Sequence, residues 1–594
     1  MPGAFERIPN YLKRYVVEQD YAAYTPQNHA AWRHIMRRAR SFFKTHAVPC
    51  YAEGLKKTGI SLHKIPSIHE IDSHLSKFGW GAIGVCGFIP PAAFLDFQAR
   101  GIMPIAMDMR SIQHIAYTPA PDIVHEAAGH VPILINDAFR NFLLRYAKMS
   151  DKAIISKEDV VLYEAIRVLS DIKENPDTLP VDIAKAEAAL KAAYASLSFV
   201  SEAAQLARMA WWTSEYGLVG DINSPLIYGA GLLSSVGESQ KCLSPQVKKL
   251  PLTLDCLNQS YDITEPQPQL FVAKSLESLP TLLDEVENKM AFKLGGRTGL
   301  ELAKKAQSVN TVLYDSGISA SGILSDYEVS QSGTVDFFKM TGPVQIAFKQ
   351  KELAGHSRVR HPEGFSSPIG FWKKFPTTPP ETLSDSDLQS IGLTRGRVCR
   401  LEFSSGFVIE GTLLHLFRQE GKLLYLTWTH CKITRGSKIY YEPKWGAFDQ
   451  IIGTQAVSVF AGPADRDTYG EYECGNVSTA PGRTSPYTER EWKIFDLYSG
   501  LRFQRELTPS PKEMLSALEK IAAAYTTQFQ EEWLIGIELL EIATQKLSDE
   551  KNLSWKKPVE KMVRDFGENA KGSDKHSLPT ELIHHGLALV SEPD

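Results

Sequence analysis

The spacing of apolar residues changes near Lys289, and this change limits the folds that the chain can adopt. Before it, stretches such as "NHAAWRHIMRRARSFFKTHA" repeat apolar residues with the period of an amphipathic helix. After it, "RVCRLEFSSGFVIEGTLLHLF" and "KLLYLTWTHCKI" are rich in β-branched and aromatic residues, which is typical of short antiparallel strands. Because the 594 residues also exceed the roughly 250–300 at which single cores stop growing, we expect a multidomain protein.

The patterning predicts three parts of the chain. We expect a mainly α-helical domain with small β elements over residues 1–290, a β-rich domain over 291–485, and a helical C-terminal region over 486–594. The paired glycines of "NKMAFKLGGRTG" suit the first boundary, so a fragment of residues 1–295 should fold by itself. The proline- and serine-rich "EGFSSPIGFWKKFPTTPPETLSDSD" is predicted to be a long loop.

Charge and cysteine content narrow the classes of function. The formal net charge of -4 gives no basic surface for nucleic acid or an anionic membrane. No apolar run of about 18 residues is present to span a bilayer, and the N-terminus lacks a secretory signal. The seven cysteines are scattered and never form C-x-x-C, which favours a reducing compartment. We therefore expect a cytoplasmic protein whose partners are small molecules.

The stretch "TPAPDIVHEAAGHVPIL" contains His125 and His130, five residues apart. Asp122 stands where it can cap a helix that starts at Ile123. Since an α-helix turns about 100° per residue, this spacing separates the two imidazoles by about 140°. Both can bind one ion only if the helix loosens or ends near Gly129, a residue tolerant of unusual dihedral angles, and the proline two residues after His130 favours an ending.

A carboxylate elsewhere in the chain completes a candidate ligand set. Glu215 lies between aromatic residues in "ARMAWWTSEYGLVG", where an unpartnered charge costs several kcal/mol. A metal ion or an arginine would satisfy it. Two histidines and one carboxylate form the ligand triad of non-haem Fe(II) oxygenases. A zinc hydrolase with Glu126 as general base uses the same ligand types and remains an alternative.

Three blocks together carry a family resemblance. "RSIQHIAYTPAPDIVHEAAGHVPI", "WWTSEYGL" and "YGAGLLSSVGES" closely resemble the pterin-dependent aromatic amino acid hydroxylases, from about Tyr24 to Asp284. The chain differs from the family by an extra helical insertion at about residues 150–195. The resemblance implies that His125, His130 and Glu215 bind Fe(2+). It also implies that tetrahydrobiopterin, or another tetrahydropterin, and O2 are used to hydroxylate the ring of an aromatic amino acid.

The resemblance also implies the residues that contact each small molecule. The implied pterin contacts are Gly87, Phe88, Ile89, Phe94, Glu126 and Ala207. The implied substrate contacts are Arg110, which binds the α-carboxylate, Asp122, which orients Arg110, the polar residues Thr118 and Ser234, the ring-enclosing residues Pro121, Trp211 and Tyr216, and the close-approach residue Gly231. Glu126 and Trp211 are the implied catalytic side chains, and Glu238 is the implied partner of a ligand histidine.

The expected reaction is phenylalanine to tyrosine. Trp211 matches the tryptophan of phenylalanine-type members, and Ile263 stands near the position where tyrosine-specific members have an acidic residue. Hydroxylation of tryptophan or tyrosine is the alternative within the family, and an inactive homologue that only binds ligands is a third possibility. The C-terminal half is a candidate for forming a homo-oligomer.

Overall fold

The computed structural model describes most of the chain. The described residues are 3–112, 115, 121–174, 178–235, 237–263, 266–330, 333–470, 486–507, 509–547, 553–569 and 580–592. No helix among them is long and apolar enough to cross a membrane.

The first half is mainly helical, as its patterning predicts. Its helices are α1 (Asn10–Lys13), α2 (Pro26–His46), α3 (Cys50–Lys57), α4 (Ile68–Leu75), α5 (Pro91–Ala99), α6 (Asp137–Ser150), α7 (Lys157–Glu174), α8 (Pro180–Ser196), α9 (Glu202–Ala210), α10 (Ala230–Ser234), α11 (Glu238–Lys241) and α12 (Leu279–Glu287). Two further turns are π-helical, π1 (Val124–His130) and π2 (Trp211–Glu215).

Short strands support these helices. They are β1 (Gly81–Val85), β2 (Ile102–Ala106), β3 (Leu218–Val219), β4 (Leu226–Ile227), β5 (Lys248–Pro251) and β6 (Gln269–Ala273). β1 and β2 form a parallel pair, and the other four form a sheet in the order β4-β3-β6-β5. β2 ends shortly before Arg110, and β3 follows directly after π2, so both small sheets hold residues of the candidate site.

Local chemistry explains the start of the longest helix of this half. The Thr25 side chain accepts a hydrogen bond from the Asn28 backbone N–H at 3.1 Å, and the Asn28 side chain accepts one from the Thr25 N–H. Pro26 occupies the first turn, where a missing N–H costs nothing. These contacts define the start of α2 at Pro26.

The predicted insertion is a pair of packed helices. α7 and α8 contact each other through a small apolar cluster that includes Leu169, Ala186 and Leu190. This cluster is separate from the main core, which explains how the segment can be accommodated without changing the surrounding packing.

The second part of the chain is built from two antiparallel sheets. Its elements are α13 (Ala291–Leu294), α14 (Gly296–Ala306), β7 (Val309–Tyr314), β8 (Ile318–Val329), β9 (Val335–Phe348), β10 (Lys351–Glu352), β11 (Gly364–Pro368), α15 (Asp385–Ser390), β12 (Val398–Glu402), β13 (Phe407–Gln419), β14 (Lys422–Arg435), β15 (Lys438–Tyr441), β16 (Phe448–Ile451), β17 (Ala456–Ala461) and α16 (Arg466–Tyr469). One sheet has the order β10-β9-β8-β7-β17 with β11 also paired to β9, and the other has the order β12-β13-β14-β15 with β16 also paired to β14.

Two details of the β-rich prediction need correction. β9 and β14 each span 14 residues, so the strands are not all short. Bulges between β13 and β14 permit the strong twist that such length requires. The segment predicted as a long loop contains a strand, because β11 pairs with β9 and buries Phe365 in the core.

Helices return at the C-terminus, as predicted. They are α17 (Glu489–Glu506), α18 (Pro511–Gln528), α19 (Trp533–Lys546), α20 (Lys556–Asn569) and α21 (Thr580–Leu589). These helices do not form a core of their own. Their buried residues, such as Tyr498 and Leu518, belong to the same hydrophobic cluster as Trp32 and Ile35 of α2.

Buried ion pairs join the C-terminal helices to α2. Arg33 donates to Glu541 Oε2 at 2.8 Å and also contacts Oε1, and Arg37 donates to Oε2 at 2.5 Å. All three side chains are at most 5% exposed. The chain therefore returns, after the β-rich part, to complete the packing of its first helices.

Candidate active site

The two histidines of the sequence motif lie on one face because their helix is π-helical. In π1 the Val131 N–H donates to the Glu126 carbonyl, five residues back. In this i→i+5 pattern, residues five apart are about one turn apart and lie on the same face of the helix. In an α-helix they would lie on different faces. The helix therefore loosens, which is one of the two alternatives that the spacing predicts.

The reason for Gly129 differs from the prediction. Its φ is not positive, so unusual dihedral angles do not explain it. A Cβ there would lie 2.7 Å from the Ala230 carbonyl oxygen, so glycine is required by the close approach of α10. Pro132 does not end the helix either. It lies in the first turn of a 3-10 helix, Val131–Ile135, that continues directly from π1.

A second π-helical turn carries the carboxylate. π2 is closed by a hydrogen bond of 2.8 Å from the Tyr216 N–H to the Trp211 carbonyl, and Glu215 is its last residue. A Cβ on Gly229 would lie 2.4 Å from the Glu215 carbonyl oxygen. The start of α10 therefore packs directly over this turn, as expected for a close-approach glycine.

The three candidate ligands come together in space. Glu215 Oε2 lies 3.2 Å from His125 Nε2, and Glu215 Oε1 lies 3.1 Å from His130 Nε2. One ligand atom from each residue lies within 4.8 Å of the others. The two imidazole planes are nearly perpendicular, with ring centroids 5.0 Å apart. The set converges on one point.

A hydrogen-bond chain orients His125. The Ser234 hydroxyl donates to the Ala230 carbonyl at 2.8 Å, and its oxygen lies 3.1 Å from His125 Nδ1. The Ser234 oxygen can therefore accept a hydrogen bond from His125 Nδ1–H, the tautomer in which Nε2 is the metal-binding nitrogen. His125 Nε2 lies 3.2 Å from Glu215 Oε2, so one metal ion could bind both atoms.

The charges around the triad shift two carboxylates in opposite directions. Burial opposes ionisation of Glu215, but His130 and His125 outweigh it and lower the pKa of Glu215 well below its usual range. Burial raises the pKa of Glu126 to about 8. Its Oε2 atom is buried and has no hydrogen-bond partner among the described residues. A polar group of a bound ligand would satisfy this oxygen.

Arg110 and Asp122 form a buried fork beside the histidines. Arg110 donates to Asp122 from Nε at 2.7 Å and from Nη2 at 2.8 Å, and from Nη1 to the Ser234 carbonyl at 3.2 Å. Burial opposes ionisation of Asp122, but Arg110 lowers its pKa. Asp122 also accepts from the His125 N–H at 3.0 Å, so it orients the arginine and caps the helix. Among the described residues, three of the five guanidinium N–H groups have partners, which leaves two for a ligand carboxylate.

Aromatic side chains form a stack at one side of the site. Trp211 stacks on Tyr216 with centroids 4.5 Å apart and on Tyr261 with centroids 4.3 Å apart. The Tyr216 hydroxyl donates to Glu238 at 2.9 Å. Glu238 also accepts from the Gln267 N–H. Its hydrogen bonds within the described residues therefore go to Tyr216 and Gln267, and the prediction that it supports a ligand histidine is wrong.

The predicted pterin contacts lie around the start of α5 and on α9. Gly87 has a φ of +54° and donates its N–H to Asp108 at 3.0 Å. Ile89 is buried, and Phe88 and Phe94 are half-buried. Ala207 lines a cavity of about 90 Å³ whose wall includes Leu95 of α5 and Ser308 of the β-rich part, but none of the other predicted pterin contacts.

The other predicted substrate contacts are placed as follows. Pro121 is half-buried, and Gly231 approaches Tyr216 closely enough that a Cβ would lie 2.9 Å from the ring. Thr118 lies outside the described residues. Two contacts were missed from the sequence, the Tyr261 stack and the link from Ser234 to His125. The paired serines of "YGAGLLSSVGES" were the available signal for the second.

The first half of the chain matches a known family. Residues 11–157 and 181–311 match the family model of biopterin-dependent aromatic amino acid hydroxylases. The unmatched gap falls within the α7–α8 insertion.

Individual relatives cover the same region. A phenylalanine-4-hydroxylase of Mesorhizobium japonicum is 28% identical over 269 residues, which is 45% of this chain and 81% of the relative. The phenylalanine-4-hydroxylase of Bos taurus is 31% identical over 261 residues, or 42% of this chain and 47% of the relative. A Chromobacterium violaceum phenylalanine hydroxylase structure with bound iron(III) and 7,8-dihydrobiopterin is 24% identical with a TM-score of 0.37, covering 48% of this chain and 92% of that chain.

Proposed function

We propose that the protein converts L-phenylalanine to L-tyrosine, because residues 11–157 and 181–311 match the family model of biopterin-dependent aromatic amino acid hydroxylases. The reaction uses O2, a tetrahydropterin such as tetrahydrobiopterin, and Fe(2+) held by His125, His130 and Glu215. The observation that carries the proposal is the convergence of these three side chains, with His125 Nε2 and His130 Nε2 3.2 Å and 3.1 Å from the two Glu215 carboxylate oxygens.

The chain's own residues bind and orient the reactants. Bound iron and tetrahydropterin together supply the activation of O2 that ring hydroxylation requires. Ser234 holds the proton of His125 on Nδ1 and so keeps Nε2 free for the metal. The buried Glu126 oxygen, which has no hydrogen-bond partner among the described residues, is available to the pterin. The residues at the start of α5 and Ala207 are the other proposed contacts.

Arg110 is the proposed binding residue for the α-carboxylate of the amino acid. Asp122 holds one edge of the guanidinium, and two N–H groups remain for a second carboxylate. Because Arg110 and Asp122 are both buried, the arginine is fixed before substrate arrives. Fixing it in advance lowers the entropy lost on binding.

The preference for phenylalanine is supported by the aromatic wall. The relatives that match are phenylalanine-4-hydroxylases. Trp211 stacks between two tyrosines, and Ile263 lies two residues after one of them, Tyr261. An apolar residue at this position offers no acceptor to the hydroxyl group of tyrosine as substrate.

We also propose the division 1–290, 291–485 and 486–594, in which the last part is a helical region that completes the core of the first rather than a separate domain. In its support, the hydrophobic cluster of the β-rich part includes Ala291 and Leu300 and ends with Val459. Action in the cytoplasm and assembly into a homo-oligomer stay predictions from the sequence.

Turnover by the full-length protein tests the proposed reaction. The purified protein receives Fe(II), a tetrahydropterin and O2, and product formation is followed for phenylalanine, tyrosine and tryptophan. We expect phenylalanine to be hydroxylated fastest. Faster turnover of either other amino acid would contradict the substrate, and no turnover of any of them would contradict the reaction.

Single substitutions test the ligand set. His125→Ala, His130→Ala and Glu215→Ala should each abolish both tight iron binding and hydroxylation, because each removes a ligand. His69→Ala, at an exposed position on α4, is the matched control and should behave as the wild type. A triad variant with full iron content and the wild-type rate would remove that residue from the set.

A further inference from the structure

A second cluster of potential metal ligands lies in the β-rich part. His356 and His361 are in the loop between β10 and β11, and Asp449 is on β16. His356 Nδ1 lies 3.3 Å from His361 Nε2, which lies 3.8 Å from Asp449 Oδ2. One ligand atom from each residue lies within 4.8 Å of the others. The three side chains are largely buried, so they face one another and have little access to solvent.

The 3.3 Å between the two imidazole nitrogens matches a small tetrahedral ion, whereas the 3.8 Å to Asp449 requires a small shift of the side chains on binding. When metal–nitrogen bonds are about 2.0–2.1 Å long, two ligand atoms of a tetrahedral site lie about 3.3 Å apart. We propose that His356, His361 and Asp449 bind a divalent transition metal of the zinc class, with a water molecule as the fourth ligand. This site is separate from the candidate active site and does not depend on the proposed function.

Neighbouring side chains hold the carboxylate in position. Thr427 donates its hydroxyl to Asp449 Oδ1 at 2.7 Å, and Arg360 Nε donates to Oδ2 at 3.0 Å. Metal-binding carboxylates commonly accept hydrogen bonds of this kind. Arg360 competes with a metal for Oδ2, but its side chain is 43% exposed, so the guanidinium can turn towards solvent when the ion binds.

The position of the cluster indicates what the metal does. β11 pairs with β9 in one sheet, whereas β16 pairs with β14 in the other. An ion bound by the loop before β11 and by β16 would connect the two sheets. A bound metal contributes its binding free energy to folding, so the site is expected to stabilise the β-rich part rather than to catalyse a reaction.

The rival explanation needs no metal. One imidazole can donate to the other at 3.3 Å, and Arg360 can pair with Asp449 permanently. The two explanations differ in whether the protein takes up zinc at this place.

Metal analysis of full-length protein separates them. A His125→Ala/Glu215→Ala variant removes two ligands of the first site, so its zinc content reports on the second. After equilibration with micromolar Zn(2+) and gel filtration, we expect one zinc per chain. Adding His361→Ala should remove that zinc, and adding His415→Ala, an exposed histidine on β13, should not. A background variant without zinc, or one that keeps its zinc after His361→Ala, would overturn the proposal.

Two further measurements remain decisive if His361→Ala fails to fold. Titration of the same background variant with Co(2+) should produce the visible absorption bands of a tetrahedral site, and absence of these bands would overturn the proposal. Arg360→Gln removes the competing cation, so it should lower the Co(2+) concentration needed for half-saturation. Weaker or unchanged binding in Arg360→Gln would contradict the geometry in which Asp449 Oδ2 is a ligand.

Discussion

Glu541 is the residue whose loss should most clearly reveal how the C-terminal helices contribute to stability. In Glu541→Ala, the guanidinium groups of Arg33 and Arg37 lose the buried carboxylate that both contact in the native structure. Arg33 still lies 3.8 Å from Glu538, and Arg37 still donates to the Leu589 and Glu592 carbonyls. Breaking a buried pair by removing one partner costs about 3–5 kcal/mol. Because these contacts remain, we expect a loss at the lower end of this range, about 3 kcal/mol, in the free energy of unfolding.

The control is an exposed pair in the same helical region. Arg564 donates to Glu560 at 2.8 Å, and both side chains are more than 40% exposed. Glu560→Ala should therefore cost only about 0.2–1 kcal/mol. Urea unfolding followed by circular dichroism measures both variants against the wild type, and Glu541→Gln, which keeps one acceptor oxygen, should lie between them.

A small effect would refute the reasoning. The prediction is wrong if the free energies of unfolding of Glu541→Ala and Glu560→Ala differ by less than about 1 kcal/mol. The arginines would then have found other partners or water, and the contact between α2 and the C-terminal helices would not exclude solvent. A Glu541→Ala protein that folds only at reduced temperature would agree with the expected loss.

Three other substitutions or fragments test the site and its support. Arg110→Lys keeps the charge but loses the fork, so KM for the amino acid should rise by an amount equivalent to about 1–3 kcal/mol with iron content unchanged; an unchanged KM would place the carboxylate elsewhere. Ser234→Ala removes the acceptor that fixes the His125 tautomer, so iron affinity measured by chelator competition should fall by about 10–100-fold, and wild-type affinity would show that the contact has no role. A fragment of residues 1–295 should aggregate or unfold at a lower temperature than the full chain, because it lacks the helices that share the core of α2; a soluble and fully active fragment would contradict this.

Much of the site was predictable because its chemistry is local in sequence. The motif spacing identified His125 and His130, and an acidic residue among aromatics identified Glu215. The sequence left two ways for the histidines to share a face. The choice of a π-helical turn depends on the packing of α10 against Gly129, which is a tertiary contact that the motif does not contain.

The packing of the C-terminal helices was not predictable in the same way. Patterning predicted a helical region at the C-terminus, and the largely buried α19 belongs to it. Nothing in the sequence links Arg33 to Glu541, because the two lie 508 residues apart. The prediction that residues 1–295 fold alone depends on where the sequence periodicity changes. Periodicity does not indicate that helices from residues 486–594 cover apolar faces of the first helices.

The two π-helical turns have a consequence for how this centre can change by mutation. Each turn contains one residue more than the α-helical turn that it replaces. A substitution at a ligand changes its chemistry, whereas loss of a single codon between His125 and His130 would keep both imidazoles and restore the four-residue spacing used by zinc peptidases. A deletion in either of these two segments would therefore convert the π-helical ligand spacing into an α-helical one, whereas a point substitution would not.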